Sequence, residues 1–397
     1  MDIHLPSGFE LAGVHCGIKR NPQKPDISLI VAQAPAVAAG VYTQNLVVAA
    51  PVLWDRAHTP SDTIRVVVTN SGNANACTGE QGEQDNAKMA QITAKACGCS
   101  ADEVLVMSTG IIGEHLPMKK IEKGIIEAAA NRKADEEHFL QAAKGILTTD
   151  KSEKIASKKI SIDDREFKIC GMAKGAGMIG PKMATMLGVI LTDAPINKDQ
   201  AQELLSDVVK RTFNRISVEG HTSTNDTVLL LSSGAEGGTQ LNQDQLAELK
   251  DAVEAMCVEL AKLIPADGEG ASHLITIDVE GCATEEDAEK IAKTVADSAL
   301  VKTAVHGGDP NWGRIVSAAG YAGVPFDASK LELILNGTLL YKSGTPVQFD
   351  EAEVSKSMKD QFETHILLKL AEGEATVRYW ASDLTVEYVR FNAEYHT

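Results

Sequence analysis

The stretch with the least ordinary chemistry is Lys174-Gly-Ala-Gly-Met-Ile-Gly-Pro-Lys-Met-Ala-Thr-Met-Leu187, followed by the apolar run Gly188-Val-Ile-Leu-Thr-Asp193. Three glycines and a proline within eight residues break any helix up to Pro181 and favour a loop that another group can approach closely. Thr185 stands between Ala184 and Met186, where packing alone would be served by an aliphatic side chain, and it is the candidate reactive centre. Once a threonine is a chain terminus, its own α-amine can act as general base for its hydroxyl, because an α-amine titrates at about 7.7–8.0. Attack of the Thr185 hydroxyl on the Ala184 carbonyl would turn that peptide bond into an ester, and hydrolysis would free the amine. From composition alone, a structural threonine is the competing reading.

A second chemistry also fits the glycines. Gly175-x-Gly177-x-x-Gly180 matches the dinucleotide fingerprint, and Asp193 ends the next strand as a ribose-binding acid would. The spacing argues against it: seven residues, beginning with Pro181, separate Gly180 from Gly188, whereas a parallel crossover with its helix needs about ten to twelve. No Walker pattern is present. Cys97-Gly-Cys99 lacks partners at metal spacing, no His or carboxylate cluster has metal spacing, and no metal or cofactor is expected. His221, near Asn225 and Asp226, is a possible base but is not needed if an amine serves. Trp312, in Asp309-Pro-Asn-Trp-Gly313, reads as a loop anchor.

Composition narrows the class. The 397 residues are 44% hydrophobic, 23% charged and 4% aromatic, which suits a globular protein of two or three domains. The net charge of −17 argues against nucleic acid or an anionic membrane as the main partner. Seven scattered cysteines form no disulfide framework and suit a reducing, cytoplasmic setting. Met1-Asp-Ile-His-Leu-Pro-Ser-Gly8 has neither a basic nor an apolar leader region, so no secretory signal is expected. No apolar run is long enough to span a bilayer.

The elements that must position Thr185 read as alternating strands and helices, hence mixed α/β layers. Strands are expected at Ser28–Gln33, Thr63–Thr69, Glu103–Met107, Gly188–Asp193, Thr227–Ser232, His273–Glu280 and Leu331–Leu335, with a short one at Val48–Leu53. Lys158–Ile162 and Glu166–Cys170 form a hairpin into the glycine loop. Helices are expected over Asp85–Cys97, Met118–Ala130, Ala134–Leu147, Asp199–Phe213, Glu285–Leu300 and Glu351–Ala371. The clearest carries Leu246, Leu249, Val253, Met256, Cys257, Leu260 and Leu263 at steps of three and four, with Asn242 as its cap. Ala375–Tyr379 and Leu384–Phe391 read as a terminal hairpin. The polar loop Asn70-Ser-Gly-Asn-Ala-Asn-Ala-Cys-Thr-Gly79 either offers free amides to a ligand oxygen or caps its own helix. No repeat or linker is visible.

The run from Lys174 to Leu187 resembles the self-cleavage motif of the ornithine acetyltransferases of arginine biosynthesis, the ArgJ family of glutamate N-acetyltransferases. The likeness extends over nearly the whole chain, through Ala39-Gly-Val-Tyr-Thr43, Asn70–Ala76, Ser108-Thr-Gly-Ile-Ile-Gly113, Thr148-Thr-Asp150, Ser223-Thr-Asn-Asp-Thr227, Gly268-Glu-Gly-Ala271, Gly308-Asp-Pro-Asn-Trp-Gly-Arg314 and Phe391-Asn392. The resemblance implies a layered α/β sandwich like that of the DmpA-type aminopeptidases, self-cleaved into an α chain of residues 1–184 and a β chain of residues 185–397. It implies an α2β2 assembly that moves the acetyl group of N2-acetylornithine to glutamate through acetyl-Thr185, with acetyl-CoA as a second donor left open. It also implies an oxyanion site of the Thr109 hydroxyl and the Gly110 amide. A Thr-Gly turn after a strand would supply both donors, although a plain tight turn is the simpler reading. Substrate contacts carried over by motif are Thr149, Lys174, Thr185, Glu269, Asn392 and Thr397, with Thr148 an alternative to Thr149. Lys174 would suit an anion and Glu269 an ammonium. Competing functions are an N-terminal-threonine aminopeptidase or amidase, and a non-catalytic binder of acetylated amino acids or a nucleotide.

Overall fold

The computed structural model describes residues 3–180 and 186–394. In chain order the first strands are β1 (Phe9–Val14), β2 (Ile27–Tyr42), β3 (Ser61–Asn73), β4 (Val104–Ile111), β5 (Lys154–Ile162), β6 (Arg165–Lys174), β7 (Leu187–Thr192), β8 (Ile216–Ser217) and β9 (Thr227–Ser232). The rest are β10 (Leu274–Cys282), β11 (Glu332–Leu335), β12 (Thr338–Lys342), β13 (Thr345–Pro346), β14 (Glu363–Lys369) and β15 (Ala375–Ser382). The helices are α1 (Ala50–His58), α2 (Gly79–Cys97), α3 (Met118–Asn131), α4 (Glu136–Gly145), α5 (Lys198–Arg211), α6 (Gln243–Ala266), α7 (Glu285–Asp297), α8 (Ala299–Gly307), α9 (Trp312–Gly320), α10 (Glu351–Asp360) and α11 (Val386–Glu394).

One mixed sheet runs β4-β3-β2-β9-β7-β6-β5, with β1 also on β2, and a second runs β13-β12-β11-β14-β10-β15-β8. In the first, β7 lies parallel to β9 and antiparallel to β6. Both strands are buried on both faces: Val228 and Leu230 join one core cluster, Leu229 and Leu231 another. That double burial is why they read as unbroken apolar runs. Helix α6 sits between the sheets, touching β5 and β6 on one side and β15 and β8 on the other. Asn242 caps it as expected: its Oδ1 accepts from the Gln245 amide at 3.0 Å, and Gln245 Oε1 accepts from the Asn242 amide at 2.9 Å. Leu263 departs from the expected stripe and is 40% exposed.

The layered α/β reading holds, with local corrections. Val48–Leu53 is not a strand, because Pro51 falls at the first turn of α1, where its fixed φ and missing N–H suit a helix. Glu351–Ala371 divides into α10 and β14, in which Thr364, Ile366 and Leu368 alternate inward. Glu285–Leu300 is two helices, broken where Ser298 turns extended and caps α8. Leu384–Phe391 forms α11 rather than a hairpin strand. Strand β15 is already paired by β10 and β8 on its two edges, so no edge remains for a return strand. Thr385 starts the helix by accepting from the Tyr388 amide at 3.0 Å.

A buried charge hub joins the segments that surround the candidate-site motifs. Lys154 on β5 is 1% exposed, and its ammonium meets Asp150 Oδ1 at 2.7 Å and Asp267 Oδ2 at 2.6 Å. Asp150 also accepts from the amides of Gly175 at 2.7 Å and Thr148 at 3.0 Å. Burial alone would raise the Asp150 pKa, yet Lys174, Lys154 and these hydrogen bonds hold it well below the usual carboxylate range. A carboxylate held low contributes stability above its unfolded pKa of about 3.9 and loses it as pH falls through the folded value.

Two stability predictions follow from this architecture. Asn242→Ala should lower the unfolding free energy by about 1 kcal/mol in urea titrations, through loss of the α6 cap. Asp150→Asn should cost on the order of 3–5 kcal/mol, because it leaves buried lysine charge undercompensated. A loss below about 1 kcal/mol would show that Asp267 neutralises Lys154 by itself.

Candidate active site

Strands β3 and β4 run parallel and carry Ser71-Gly72 beside Thr109-Gly110. Thr109 and Gly110 therefore end a strand, rather than forming a turn after one. At Gly110, φ is +135°, and a Cβ would lie 2.3 Å from the Gly72 carbonyl carbon and 2.4 Å from the Asn73 nitrogen, so no other residue fits. Strand β4 is the edge of its sheet, which leaves alternate amides outside the ladder. The 70–79 loop does not simply cap α2: Thr78 makes no side-chain cap bond. Its amides and hydroxyls instead bind one another, the strand tips and the first turn of α2. Ser108 Oγ donates to Asn70 Oδ1 at 2.6 Å, Asn70 Nδ2 donates to the Asn73 carbonyl at 2.8 Å, and Asn75 Nδ2 reaches the Gly82 carbonyl at 2.9 Å.

Asn225 links these tips to the strands that flank the candidate cleavage point. Its Nδ2 donates to the carbonyls of Ala74 at 2.6 Å and Ser108 at 2.9 Å. Its neighbour Asp226 is fully buried and accepts the Met186 amide at 2.9 Å, while the Thr227 amide donates to the Met186 carbonyl at 3.1 Å. Burial pushes the Asp226 carboxyl well above the usual range, against the Met186 amide and the Lys174 charge. Lys174, Leu187 and Thr227 stand in register across β6, β7 and β9. The residue before the β7 segment is thus gripped by Asp226. Ala184, Thr185 and Thr397 lie outside the described residues.

The other expected residues surround one cavity: Thr109, Gly110, Thr149, Lys174, Glu269 and Asn392. Glu269 joins three segments. Its Oε1 accepts from the Thr149 hydroxyl at 2.7 Å, its Oε2 from Asn392 Nδ2 at 3.1 Å, and its own amide donates to the Ala176 carbonyl at 2.7 Å. Thr148 also lines the cavity, but the Thr149 hydroxyl is the one on Glu269. Lys174 is 2% exposed, and burial pulls its ammonium below the usual lysine value, with Asp150 opposing and Lys154 reinforcing. The cavity thus combines backbone and hydroxyl donors on one wall with a buried ammonium and a carboxylate on another. Such a set can polarise a carbonyl and hold a zwitterionic substrate.

The glycines of the loop have definite tasks. A Cβ on Gly177 would lie 2.4–2.6 Å from the Glu269 carboxylate, and one on Gly180 2.2–2.6 Å from the Gly220 backbone. Sequence reasoning passed over Glu219, which lines the cavity beside the considered His221; a lone acid in a loop carries no pattern that marks it as buried. Trp312 is not in the cavity. It opens α9 and stacks on Tyr341, with ring centroids 5.7 Å apart.

Among the described residues, one group outside the cavity has metal-binding side chains: His273, His306 and Asp383. Its atoms are already joined by hydrogen bonds. Ser272 Oγ donates to Asp383 Oδ2 at 2.5 Å, and the two imidazole Nδ1 atoms lie 3.4 and 3.2 Å from the same oxygen. No helix among the described residues is long and apolar enough to cross a membrane.

Comparison with known proteins agrees with the motif resemblance. The ArgJ family model matches residues 10–397. The arginine biosynthesis bifunctional protein ArgJ of Rhodopirellula baltica is 51% identical, covering 99% of this chain and 96% of that protein. Its counterpart in Thermotoga neapolitana is 42% identical, covering the whole of both. A crystal structure of the Bacillus halodurans protein of the same name, 38% identical, aligns with TM-score 0.50 over 51% of this chain and 96% of that one. The cavity described above therefore lies in a chain that belongs to the ArgJ family.

Proposed function

We propose that this chain is an acyltransferase that moves the acetyl group of N2-acetylornithine to glutamate by a ping-pong route through acetyl-Thr185, after cleaving itself between Ala184 and Thr185. The observation that carries the reading is the convergence of Thr109, Gly110, Thr149, Lys174, Glu269 and Asn392 on one cavity, next to the gripped start of β7. The Thr185 hydroxyl attacks the acetyl carbonyl while its α-amine takes the hydroxyl proton. The Thr109 hydroxyl and Gly110 amide stabilise the oxyanion, and the α-amine returns the proton to departing ornithine. The glutamate α-amine then attacks the ester by the reverse sequence. Lys174 receives the substrate carboxylate and Glu269 the ornithine ammonium, with Thr149, Asn392 and Thr397 completing the contacts.

Cleavage would divide the chain into residues 1–184 and 185–397, which stay together as one folded unit and pair as α2β2. Pairing of β7 with β6 and of β9 with β2 supports this, because the sheet would hold the two products together. The solved Bacillus halodurans chain is nearly covered by half of this one, the proportion expected of one product of such a cut. The name "bifunctional" carried by the relatives supports acetyl-CoA as a second donor. Seven free thiols suit a reducing, cytoplasmic setting.

Gel electrophoresis with N-terminal sequencing should give two fragments, one beginning Thr-Met-Leu, and Thr185→Ala should give one uncut, inactive chain. Acetyl transfer by the uncut variant would rule out the acetyl-threonine intermediate. Thr109→Val, nearly isosteric, should lower kcat by about 100-fold with little change in KM, as expected for one lost oxyanion donor. A kcat within about twofold of the parent would remove Thr109 from that role.

A further inference from the structure

Glu219 is a half-buried acid that the mechanism above does not use. It follows β8 in a turn whose three successive amides, from Val218, Glu219 and Gly220, all donate to the Ile179 carbonyl at 2.9, 3.3 and 3.0 Å. Gly180 closes against Gly220 from the other side. The backbone that carries Glu219 is therefore clamped to the glycine loop, and the residue lies at the same cavity as Glu269 and Lys174. Both carboxylate oxygens are shielded from water and take no hydrogen bond from a side chain among the described residues, and the backbone amides of Ile179 and His221 are the donors that act on them. An acid so shielded is costly to ionise unless opposite charge arrives beside it or a proton neutralises it.

The charges around it are known from each packed element. Glu269, on the loop after α6, repels it; Lys302 of α8 attracts it; Tyr388 of α11 responds to both acids. Asp297, at the end of α7, neighbours Gly220 and also acts on Lys302. Burial is the largest influence on Glu219. With Glu269 adding to it and the backbone of Ile179 and His221 and the Lys302 charge opposing, its pKa is pushed up to about 8.

The proposed reaction makes contradictory demands on this end of the cavity. The departing amino acid ends in an ammonium, and the arriving one ends in a carboxylate. Two ionised acids suit the first, but a third carboxylate beside them is repelled unless one acid carries a proton. Glu269 already spends both oxygens on Thr149 and Asn392 as an acceptor. Glu219 takes no such side-chain bond, so it can change its charge by taking or losing a proton.

On the acetyl-transfer reading, we propose that Glu219 gives one pocket its two specificities through its charge: as a carboxylate it reinforces Glu269 in holding the side-chain ammonium of ornithine, and as a carboxylic acid it relieves the repulsion that the side-chain carboxylate of glutamate would meet. Ornithine binding expels the Glu219 proton to solvent, and glutamate binding recovers it, so one full cycle is proton-neutral.

Isothermal titration calorimetry of L-ornithine and L-glutamate into the enzyme, in buffers of different ionisation enthalpy at pH 8, reads the proton exchange directly. Relative to Glu219→Gln, the parent enzyme should release about half a proton with ornithine and take up about half with glutamate. Glu219→Asp should keep both signs. In steady-state transfer, Glu219→Gln should raise the KM for N2-acetylornithine about tenfold and that for glutamate less than about threefold. Proton numbers equal in the parent and Glu219→Gln, or a common factor on both KM values, would overturn the role of Glu219 while leaving acetyl transfer standing. Failure of the parent to bind either amino acid would overturn the acetyl-transfer reading itself, and this inference with it.

Discussion

Two lysines almost wholly removed from water dictate how the cavity wall is built. Lys154 and Lys174 are 1% and 2% exposed, and an ammonium so placed is tolerated only beside opposite charge with its hydrogen bonds made. Asp150 meets that demand at the price of drawing four segments together: the loop after α4, strand β5, the end of β6 and, through Lys154 and Asp267, the end of α6. Glu269 lies two residues beyond Asp267, so the ion pair that neutralises Lys154 also delivers an acid to the cavity. Asn392 then holds that acid from α11. The position of the site thus follows from charge compensation as much as from apolar packing.

Close backbone contact is the second constraint, and it gives the glycines their meaning. Gly110 abuts Gly72 and Asn73, Gly177 abuts the Glu269 carboxylate, and Gly180 abuts Gly220. Each contact is closer than any Cβ permits. The segment leading to Thr185 is therefore pinned at two points before it leaves the described residues, and the Asp226 carboxylate pins it again at Met186. A loop that reads as loose from composition is anchored on both sides of the bond proposed to break.

How much of this was legible depended on whether a residue's task was local. Strands β7 and β9 and helix α6 were readable because burial on fixed periods leaves an apolar pattern, and Asn242 because a cap acts within three residues. The terminal segment was misread as a hairpin because edge pairing of β15 by β8 is a contact across more than 160 residues. The candidate site divides in the same way. Thr109, Gly110, Thr149, Lys174, Glu269 and Asn392 were found through motif likeness, since composition alone would leave Lys174 and Glu269 as surface charges. Glu219 carried no such signal, and Asp226 lay within the Ser223–Thr227 motif with nothing local to mark its bond to Met186. A carboxylate in a polar loop looks solvated until the fold closes water out.

That hidden burial bears on how a rigid site can serve two substrates in turn. In a ping-pong route both amino acids occupy one place, so selectivity must change between half-reactions. The clamps at Gly177 and Gly180, and the three amides on the Ile179 carbonyl, leave the backbone around the cavity little room to rearrange. A fixed added cation would favour glutamate and repel ornithine, and a fixed added anion would do the reverse. What can change inside a clamped wall is the position of a proton, and it can change only on a group whose two forms lie close in free energy near the working pH. Burial beside another acid puts Glu219 in that condition. The same exclusion of water that makes a shielded acid costly to ionise makes it responsive to the charge of whatever enters.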